Sequence, residues 1–355
     1  MKHLDILIVY SDLAVSASVS DSISKHPFFL NSKQANYIQS YEYFLEYCQK
    51  QGLTAGLSVS DDIISSGSCS SYWTYEQKRW IKNKSEVKST QIFDKLAPTT
   101  KDQIEKQALL FSDKIIKPFT DKEVLTIFFD KFVTYKTLPE FSIPTVEIKS
   151  NKASDIIKAI TKLQENISSH KNRDDFQKAV ILKDRFGSGG NKIYKIENEF
   201  AENIHKKMKN NDDSRFILQP FVKFDTGFTY KNYTGSTDIR LIFQNNNLIQ
   251  SYFRFAKPGD FRCNEHLGGE LTYVTHDDVP KRIISIAKKI VAQINKPRSL
   301  YALDFIISNA GNIYLVEGNN NPGIDWDSSK KTNEDMSKRL IERIVEEFIY
   351  RIKYL

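Results

Sequence analysis

Apolar residues recur along the chain in two patterns, which together predict a mixed α/β (α+β) protein. Short continuous apolar runs, such as Leu4–Tyr10 and Phe216–Val222, predict buried strands. Apolar residues at helical spacing predict amphipathic helices over Asn36–Gln51, Pro280–Asn295 and Glu334–Ile352. Strands and helices alternate through the first 115 residues, which is typical of an α/β unit.

Changes in this pattern divide the chain into three expected domains. A new unit begins near Lys117-Pro118 and contains two strands joined by a glycine-rich connection. Further along the chain, a hairpin that starts near Asp238 opens a third unit. We therefore expect domains at residues 1–115, 116–222 and 223–355.

The most informative segment is a predicted hairpin near the C-terminus. Two apolar runs flank a polar turn, and a loop centred on Ala310-Gly311 pairs Asp304 directly with Glu317. Directly opposed residues share a face of the sheet, and so does Asn319, two residues beyond Glu317. Two carboxylates and an amide oxygen suit Mg²⁺. A shift of one residue in register would move Asp304 to the other face, and a hairpin that binds nothing is the alternative.

A glycine-rich turn lies between the predicted strands Ala179–Lys183 and Lys192–Ile196. No helix follows it, which excludes both a P-loop and a dinucleotide-binding fingerprint. A glycine-rich turn between strands can instead lay backbone N–H groups over phosphates. Lys183 ends the first strand, where its ammonium group could reach a phosphate. The alternative is a turn with no ligand.

Two arginines lie within mostly apolar strands of the next hairpin. Arg240 belongs to Ile239–Phe243 and Arg254 to Leu248–Phe255. The pattern alone leaves open whether they share a face. If they do, they form a permanently charged clamp for phosphoryl or carboxylate oxygens. The alternative is that each pairs with a local carboxylate.

Composition narrows the class of protein. The chain has 355 residues, 40% of them hydrophobic, and a net charge of +7. Because the lysines are dispersed, the charge favours a solvated surface with a phosphate-binding cleft over a nucleic-acid partner. Three scattered cysteines indicate a reducing compartment, so we expect a cytoplasmic protein. No apolar run approaches the roughly 20 residues of a membrane span.

The order of these motifs resembles the ATP-grasp superfamily, most closely its glutathione synthetase and ribosomal-protein glutamate ligase branch. The resemblance covers residues 125 to 326, a little over half of the chain. In order, it rests on Asp130-Lys131, Lys183 with Gly187-Ser188-Gly189-Gly190, Leu218-Gln219-Pro220-Phe221-Val222, Asp238-Ile239-Arg240, Arg254, Gly259–Asn264, Gly268-Gly269, Asp304 and Glu317–Gly323.

The resemblance implies a fold and a set of site residues. The fold is an ATP-grasp fold of two α+β subdomains that grip ATP, preceded by an N-terminal α/β domain. The nucleotide would be bound by Lys131, Lys183, Gly187, Ser188, Gly189, Gly190, Gln219, Phe221 and Val222. Magnesium would be held by Asp304, Glu317 and Asn319, while Arg240, Arg254 and Asn264 would be catalytic.

The activity implied is an ATP- and Mg²⁺-dependent ligation, in which Mn²⁺ can replace Mg²⁺. A substrate carboxylate becomes an acyl phosphate, and an amine then displaces phosphate, with release of ADP and phosphate. The substrates would be small molecules or peptides, and the resemblance is compatible with a homodimer. Two alternatives remain: a kinase or a peptide- or protein-modifying ligase of the same fold, and a nucleotide-binding regulatory protein without turnover.

The chain departs from the family pattern in three places. Pro220 stands where an acidic residue is common, and Asp184 stands where a proline usually follows the lysine. The segment from Phe224 to Thr237 is longer than we expect. These departures affect the residues that would contact the ribose, and we assign none.

Overall fold

The computed structural model describes residues 1–11, 26–28, 37–96, 98, 100–187, 189–211, 215–325 and 331–355. The helices are α1 (Tyr37–Lys50), α2 (Lys101–Leu110), α3 (Lys122–Phe129), α4 (Lys131–Thr137), α5 (Ala153–Ser168), α6 (Phe200–Lys209), α7 (Lys281–Ile294) and α8 (Lys331–Tyr354). In the first part of the chain, the strands are β1 (Lys2–His3), β2 (Ile6–Tyr10), β3 (Ala55–Val59), β4 (Ile63–Ser65), β5 (Ser68–Cys69), β6 (Tyr72–Glu76), β7 (Arg79–Asn83), β8 (Val87–Lys88), β9 (Gln91–Lys95) and β10 (Lys117–Pro118). The later strands are β11 (Val146–Ile148), β12 (Phe176–Asp184), β13 (Ile193–Ile196), β14 (Phe216–Val222), β15 (Thr229–Tyr230), β16 (Tyr233–Thr234), β17 (Thr237–Gln244), β18 (Asn247–Phe255), β19 (Glu270–Val274), β20 (Leu300–Ile307) and β21 (Ile313–Asn319).

The predicted strands and helices are present close to their expected bounds. The helix α7 lies one residue inside the predicted range Pro280–Asn295 at each end, and α1 ends one residue before the predicted Gln51. The predicted start of α1, Asn36, lies outside the described residues. The last helix, α8, begins three residues before its predicted start at Glu334. Its first turn is polar, so apolar spacing gives no sign of it. None of the described helices is long and apolar enough to cross a membrane.

By their contacts, the described residues form two compact units: Met1–Asp121 with Asn321–Leu355, and Lys122–Asn320. The first unit is built on a six-stranded sheet of order β10-β9-β2-β3-β6-β7. The strands from β10 to β3 are parallel, and β6 and β7 add an antiparallel edge. A smaller four-stranded sheet has the order β1-β8-β5-β4.

The helix α8 joins this first unit although it lies at the far end of the chain. Phe348 is fully buried and packs against Phe119, with ring centroids 4.7 Å apart. Arg351 donates a 2.8 Å hydrogen bond to the carbonyl oxygen of Phe119. The expected three-domain division instead placed α8 in the third domain, residues 223–355. The expected boundaries after residues 115 and 222 stay a prediction.

The second unit contains two larger sheets. The first has the order β11-β14-β12-β13, and α5 and α6 cover one face of it. The second has the order β19-β18-β17-β20-β21 and is antiparallel throughout. One face of the five-stranded sheet is apolar, and α3 and α7 contribute side chains to the core beneath it. Because side chains alternate along each strand, the other face carries the polar residues.

Candidate active site

The hairpin of β20 and β21 has the expected register at its acidic pair, whereas on the turn side the pairing is shifted by one residue, as in Ile307 with Ile313. Asp304 is paired directly with Glu317, and Ala302 is paired with Asn319. A bulge lies between Asp304 and Phe305, on the turn side of the acidic pair. The prediction that Asp304 and Glu317 are opposed is therefore confirmed. Asp304 is buried, whereas the Glu317 side chain is 32% exposed.

Close packing requires the glycine between the two polar residues of β21. A Cβ atom added at Gly318 would lie 1.9 Å from Cδ1 of Phe128, which belongs to α3. Phe128 is buried, so it cannot move away cheaply. The close approach of α3 therefore positions the strand that carries Glu317 and Asn319.

The two arginines share one face of the five-stranded sheet. Arg240 is paired with Tyr252, and Arg254 is paired with Asp238, two residues before Arg240. Positions two apart on a strand face the same side. On its other side, Arg240 is paired with Asp304. The question that the sequence left open is answered: both guanidinium groups lie beside the hairpin carboxylate.

Asp304 is held by both arginines. Arg240 Nε donates to Oδ1 at 2.6 Å, and Arg240 Nη2 donates to Oδ2 at 2.5 Å. Arg254 Nη2 donates to the same Oδ2 at 2.8 Å. Burial would raise the pKa of Asp304, but the two guanidinium charges outweigh it and hold the pKa below its usual value. Asp304 is therefore a carboxylate at neutral pH.

Each arginine also has a second partner. Arg254 makes two hydrogen bonds to Asp238, of 2.7 and 2.9 Å. The alternative prediction, that each arginine pairs with a local carboxylate, is therefore partly correct for Arg254. Arg240 Nη1 donates to the hydroxyl oxygen of Tyr252 at 3.2 Å. Burial raises the pKa of Asp238, against the opposing charge of Arg254. These contacts fix both guanidinium groups before any ligand is bound.

Lys131 connects three parts of the site. Its Nζ lies 3.2 Å from Oε1 of Glu317 and donates to the carbonyl oxygen of Gly187. Its backbone N–H donates to the carbonyl oxygen of Arg185 at 3.2 Å. The beginning of α4, the glycine-rich turn and the hairpin carboxylate therefore meet at one ammonium group.

Lys183 is a second ammonium group in the same place. It is 8% exposed. Burial lowers its pKa to about 8; the charge of Glu317 opposes this shift and that of Lys131 adds to it. Two cations beside one carboxylate leave an excess of positive charge, which suits an anionic ligand.

The glycine-rich turn contains two residues with left-handed backbone. Gly189 and Gly190 have φ values of 64° and 76°, in the left-handed region that favours glycine. A Cβ atom at Gly190 would lie 2.7 Å from Oδ1 of Asn264, so the turn lies against the loop that carries this asparagine. Ser188 lies outside the described residues.

The expected adenine-binding strand is β14. The pairing of β14 with β11 ends at Leu218 and Val146, so that edge of β14 has no ladder with β11 from Gln219 onward. Gln219 Nε2 donates to Oγ1 of Thr145 at 2.8 Å, while its Oε1 is buried and meets no hydrogen-bond donor among the described residues. Phe221 packs edge-on against Phe261, with ring centroids 5.5 Å apart.

A cavity lies beside Lys131, Gln219 and Glu317. It is lined by Lys131, Thr134, Tyr135, Ser142, Thr145, Gln219, Leu315, Val316 and Glu317. The structure thus brings the first lysine, the adenine-strand glutamine and one expected metal ligand to one cavity. Asn264 is placed against the glycine-rich turn instead, and Val222 is buried in an apolar cluster.

Sequence reasoning did not assign three polar residues of this site. Arg185 makes a bidentate contact with Asp130, through Nε at 2.9 Å and Nη2 at 2.5 Å, and also pairs with Glu147. This contact ties the glycine-rich turn to the start of α4, where Asp130 also caps the helix. Asp238 is the third residue that was not assigned. Because it lies two positions before Arg240 on the same strand, the sequence could have placed it on the same face. The contact between Asp130 and Arg185 joins residues 55 positions apart, and no local pattern predicts it.

The residues from Asp130 onward match a known family. The model of the RimK-like ATP-grasp domain matches residues 130–344, which is more than half of the chain. This chain belongs to the RimK-like ATP-grasp family. The resemblance found in the motifs and the expected fold class are both confirmed.

The curated relatives that match are distant in sequence. A probable alpha-L-glutamate ligase 2 of Hahella chejuensis is 26% identical over 170 residues, covering 48% of this chain and 51% of that protein. The chain spans about half the length of the curated relatives it matches, or somewhat less.

Solved structures match over almost the whole chain. D-cycloserine synthetase DcsG has a TM-score of 0.58 at 14% identity, covering 97% of this chain and 99% of that one. A RiPP-associated ATP-grasp ligase of Chryseobacterium gregarium, in complex with ADP and a leader and core peptide, has a TM-score of 0.55 at 13% identity, covering 98% of this chain and 97% of that one. At such low identities these matches show that the fold is shared.

Proposed function

We propose that this protein is an ATP- and Mg²⁺-dependent ligase that joins a substrate carboxylate to an amine, with release of ADP and phosphate. The observation that carries the proposal is a row of polar side chains across four neighbouring strands: Tyr252, Arg240, Asp304 and Glu317. It ends at Glu317, beside the ammonium group of Lys131. Fixed positive charge next to carboxylates is what a phosphoryl-transfer site requires.

The donor set fits magnesium bound together with phosphates. A carboxylate offers about four lone-pair positions, and the two arginines use three on Asp304, which leaves one on Oδ1. Glu317 Oε2 and the amide oxygen of Asn319 complete the set of hard donors. Among the described residues, no three His, Cys, Asp or Glu side chains form a metal cluster. One or two carboxylates with phosphate oxygens are typical of Mg²⁺.

The donor set also fits a nucleotide. The buried Oε1 of Gln219 is an acceptor that still needs a donor, and the amino group of adenine is one. Lys131 and Lys183 supply two ammonium groups for the phosphates. The glycine-rich turn allows close approach of backbone N–H groups. These features support ATP as the nucleotide.

The chemistry proceeds in two balanced steps. A carboxylate oxygen of the substrate attacks the γ-phosphorus of ATP, the bond to the β–γ bridging oxygen breaks, and ADP leaves. The amine nitrogen then attacks the carbonyl carbon of the acyl phosphate, the C–O bond to phosphate breaks, and phosphate leaves with loss of a proton from nitrogen. When bound, Mg²⁺ would neutralise charge on the phosphates.

The residues of this chain act by position and charge. Arg240 and Arg254 are held rigidly by Asp304 and Asp238, so their guanidinium groups are oriented before the reaction begins. Preorganised charge of this kind stabilises the developing negative charge without reorganisation. Lys131 and Lys183 bind phosphate oxygens.

The relatives suggest the substrate class. Curated relatives carry the name of alpha-L-glutamate ligase, which supports an amino acid as one substrate. A peptide acceptor is the second candidate, because the Chryseobacterium gregarium ligase of the same fold is described with a leader and core peptide. A homodimer stays a prediction.

The decisive experiment traps the acyl phosphate. The protein is incubated with ATP, Mg²⁺, hydroxylamine and a panel of carboxylates that includes L-glutamate and short acidic peptides. We expect a hydroxamate and an equal amount of ADP from at least one carboxylate. Mass spectrometry distinguishes this from a stable phosphorylated product, which would establish a kinase. Nucleotide binding without ADP release across the panel would establish a regulatory protein.

A further inference from the structure

The first compact unit contains a buried lysine that the proposed chemistry does not use. Lys95 ends strand β9 and is 6% exposed. Its Nζ donates a 2.9 Å hydrogen bond to the carbonyl oxygen of Pro322, which belongs to the same unit. Within the described part of the chain this is its one hydrogen bond, and no carboxylate there lies within ion-pair distance. Two of its three N–H donors therefore meet no acceptor among the described residues.

An ammonium group in this state is costly. Removing a charge from water is unfavourable unless a counter-ion and further hydrogen bonds compensate it. The charges of Asp325 and Asp94 act on Lys95 only at longer range, and burial lowers its pKa to about 8 in spite of them. A purely structural tie to Pro322 would need one donor and no charge. The charge itself therefore calls for a function.

Lys95 lies at the carboxyl ends of parallel strands, which is where open parallel sheets bind ligands. β2 lies between β9 and β3, and the three strands are parallel. The chain passes from β2 to β3 on one side and later returns to β9 on the other, so the strand order reverses at β2. Lys95 is paired with Tyr10, the last residue of β2. Ligands bind outside the carboxyl ends of strands at such a switch point.

Polar side chains continue the edge beyond these strand ends. Gln103, in the helix α2 that follows β9, is 3% exposed, and its Nε2 donates to Oγ of Ser11 at 3.4 Å. Ser11 directly follows β2. The carboxyl edge of β2 and β9 thus carries a buried ammonium group, Lys95, at the end of β9, and the residue that follows β2 is in contact with a buried amide.

We propose that Lys95 binds a carboxylate group of a substrate at the carboxyl edge of the parallel sheet in the first unit. A single ammonium group with two remaining donors suits the single charge and two oxygens of a carboxylate better than a phosphate, which needs more donors. The inference rests on the proposed function, because a ligase of carboxylates and amines must recognise a charged end of at least one substrate. It adds a specificity-determining residue in the first unit.

Binding measurements on the full chain test the site. Calorimetric titrations of wild type, Lys95→Met and Lys106→Met use acetate, L-glutamate, L-aspartate and inorganic phosphate as probes. Lys106 is the matched control, since it lies in the same unit and also donates to a backbone carbonyl, that of Ile63 at 2.9 Å. We expect wild type and Lys106→Met to bind a carboxylate, and Lys95→Met to lose about tenfold or more in affinity, the usual effect of one charged hydrogen bond.

A second measurement excludes a structural role for the lysine. Replacing a buried charge that has no counter-ion by methionine is neutral or stabilising, whereas removing a structural tie is destabilising. We therefore expect the Tm of Lys95→Met to be equal to or above that of wild type. Equal carboxylate affinity in both proteins, binding of phosphate alone, or binding of no probe by wild type each overturns the site.

Failure of this site and failure of the proposed function have different signatures. The hydroxamate assay with ATP tests the function and does not depend on these titrations. Carboxylate binding that requires Lys95, without hydroxamate from any substrate, supports the site and rejects the ligase. Hydroxamate formation at the wild-type rate and KM in Lys95→Met supports the ligase and rejects the site.

Discussion

Arg240 and Asp304 lie directly opposite each other on neighbouring strands and are joined by two hydrogen bonds, of 2.6 and 2.5 Å. The pair is buried, and Arg254 shares the same carboxylate. A planar guanidinium can make this double contact, whereas an ammonium group cannot. The geometry therefore distinguishes arginine from lysine at this position.

Replacing Arg240 by lysine should lower kcat by about 10²- to 10³-fold, the usual effect of losing one preorganised charged donor. The charge is kept, so nucleotide affinity should change less than kcat. Steady-state ADP release with a carboxylate found active in the hydroxamate assay measures the effect. Arg343→Lys is the control, because Arg343 is exposed and pairs with a neighbouring glutamate on α8, Glu346. Unchanged kcat in Arg240→Lys would remove this arginine from the proposed machinery.

The two carboxylates of the hairpin should respond differently to amide substitution. Asp304→Asn leaves two buried guanidinium groups without their shared counter-charge, and we expect a loss of about 3–5 kcal/mol in the free energy of unfolding. Glu317→Gln changes a partly exposed pair with Lys131, so its stability should change by less than about 1 kcal/mol.

ADP release should fall in both variants, although only Asp304→Asn should be strongly destabilised. Both should lose Mg²⁺-dependent ADP release, because each removes a charged metal donor. Urea denaturation and ADP release are measured on the same preparations. A stable and fully active Glu317→Gln variant would exclude Glu317 as a magnesium ligand.

Gly318→Ala should destabilise the second unit through a single contact. The added methyl group meets Cδ1 of Phe128 at 1.9 Å, so either β21 or α3 must shift. Overpacking of this kind typically costs about 1–3 kcal/mol. A shift of β21 also moves Glu317, so ADP release should fall with stability.

A double-mutant cycle checks the cause. Phe128→Leu should recover part of the stability lost in Gly318→Ala, because the smaller side chain vacates the space that the methyl group needs. Additive losses in the two variants would show that the strain arises elsewhere.

Lys95 should give the stability a specific pH dependence. Its pKa is about 8 in the folded protein, below the ordinary value of 10.5. Between these values the unfolded chain binds more protons than the folded one, so the contribution of Lys95 to stability rises with pH. Below about pH 8 the charged lysine lowers stability relative to methionine, and the difference should shrink as the pH approaches 10.5.

Urea denaturation of wild type and Lys95→Met at several pH values measures this difference. Lys183 has a lowered pKa of about 8 as well, but it is present in both proteins and cancels in the comparison. A difference that does not change with pH would show that Lys95 has an ordinary pKa in the folded protein.

Local patterns were sufficient for much of the candidate site. Strand alternation and the turn near Ala310-Gly311 predicted Asp304, Glu317 and Asn319 on one face, and the observed pairing of Asp304 with Glu317 agrees. That register also depends on the bulge between Asp304 and Phe305, which the local pattern does not locate. Glycines between two strands predicted a turn, and Gly189 and Gly190 have left-handed backbone there. These features depend on residues close together in the chain, where a period of two and the geometry of a short turn leave few choices.

Only the tertiary structure decided how distant segments combine. Arg240 and Arg254 share a face because β17 and β18 pair across a bulge between Ile242 and Phe243, which no local pattern locates. The bidentate contact between Arg185 and Asp130 joins residues 55 positions apart. The sequence by itself determined which side chains each strand presents. The tertiary structure decided which of these side chains meet, because strand register and the packing of distant elements depend on non-local burial. The same packing buries Lys95 in the first unit.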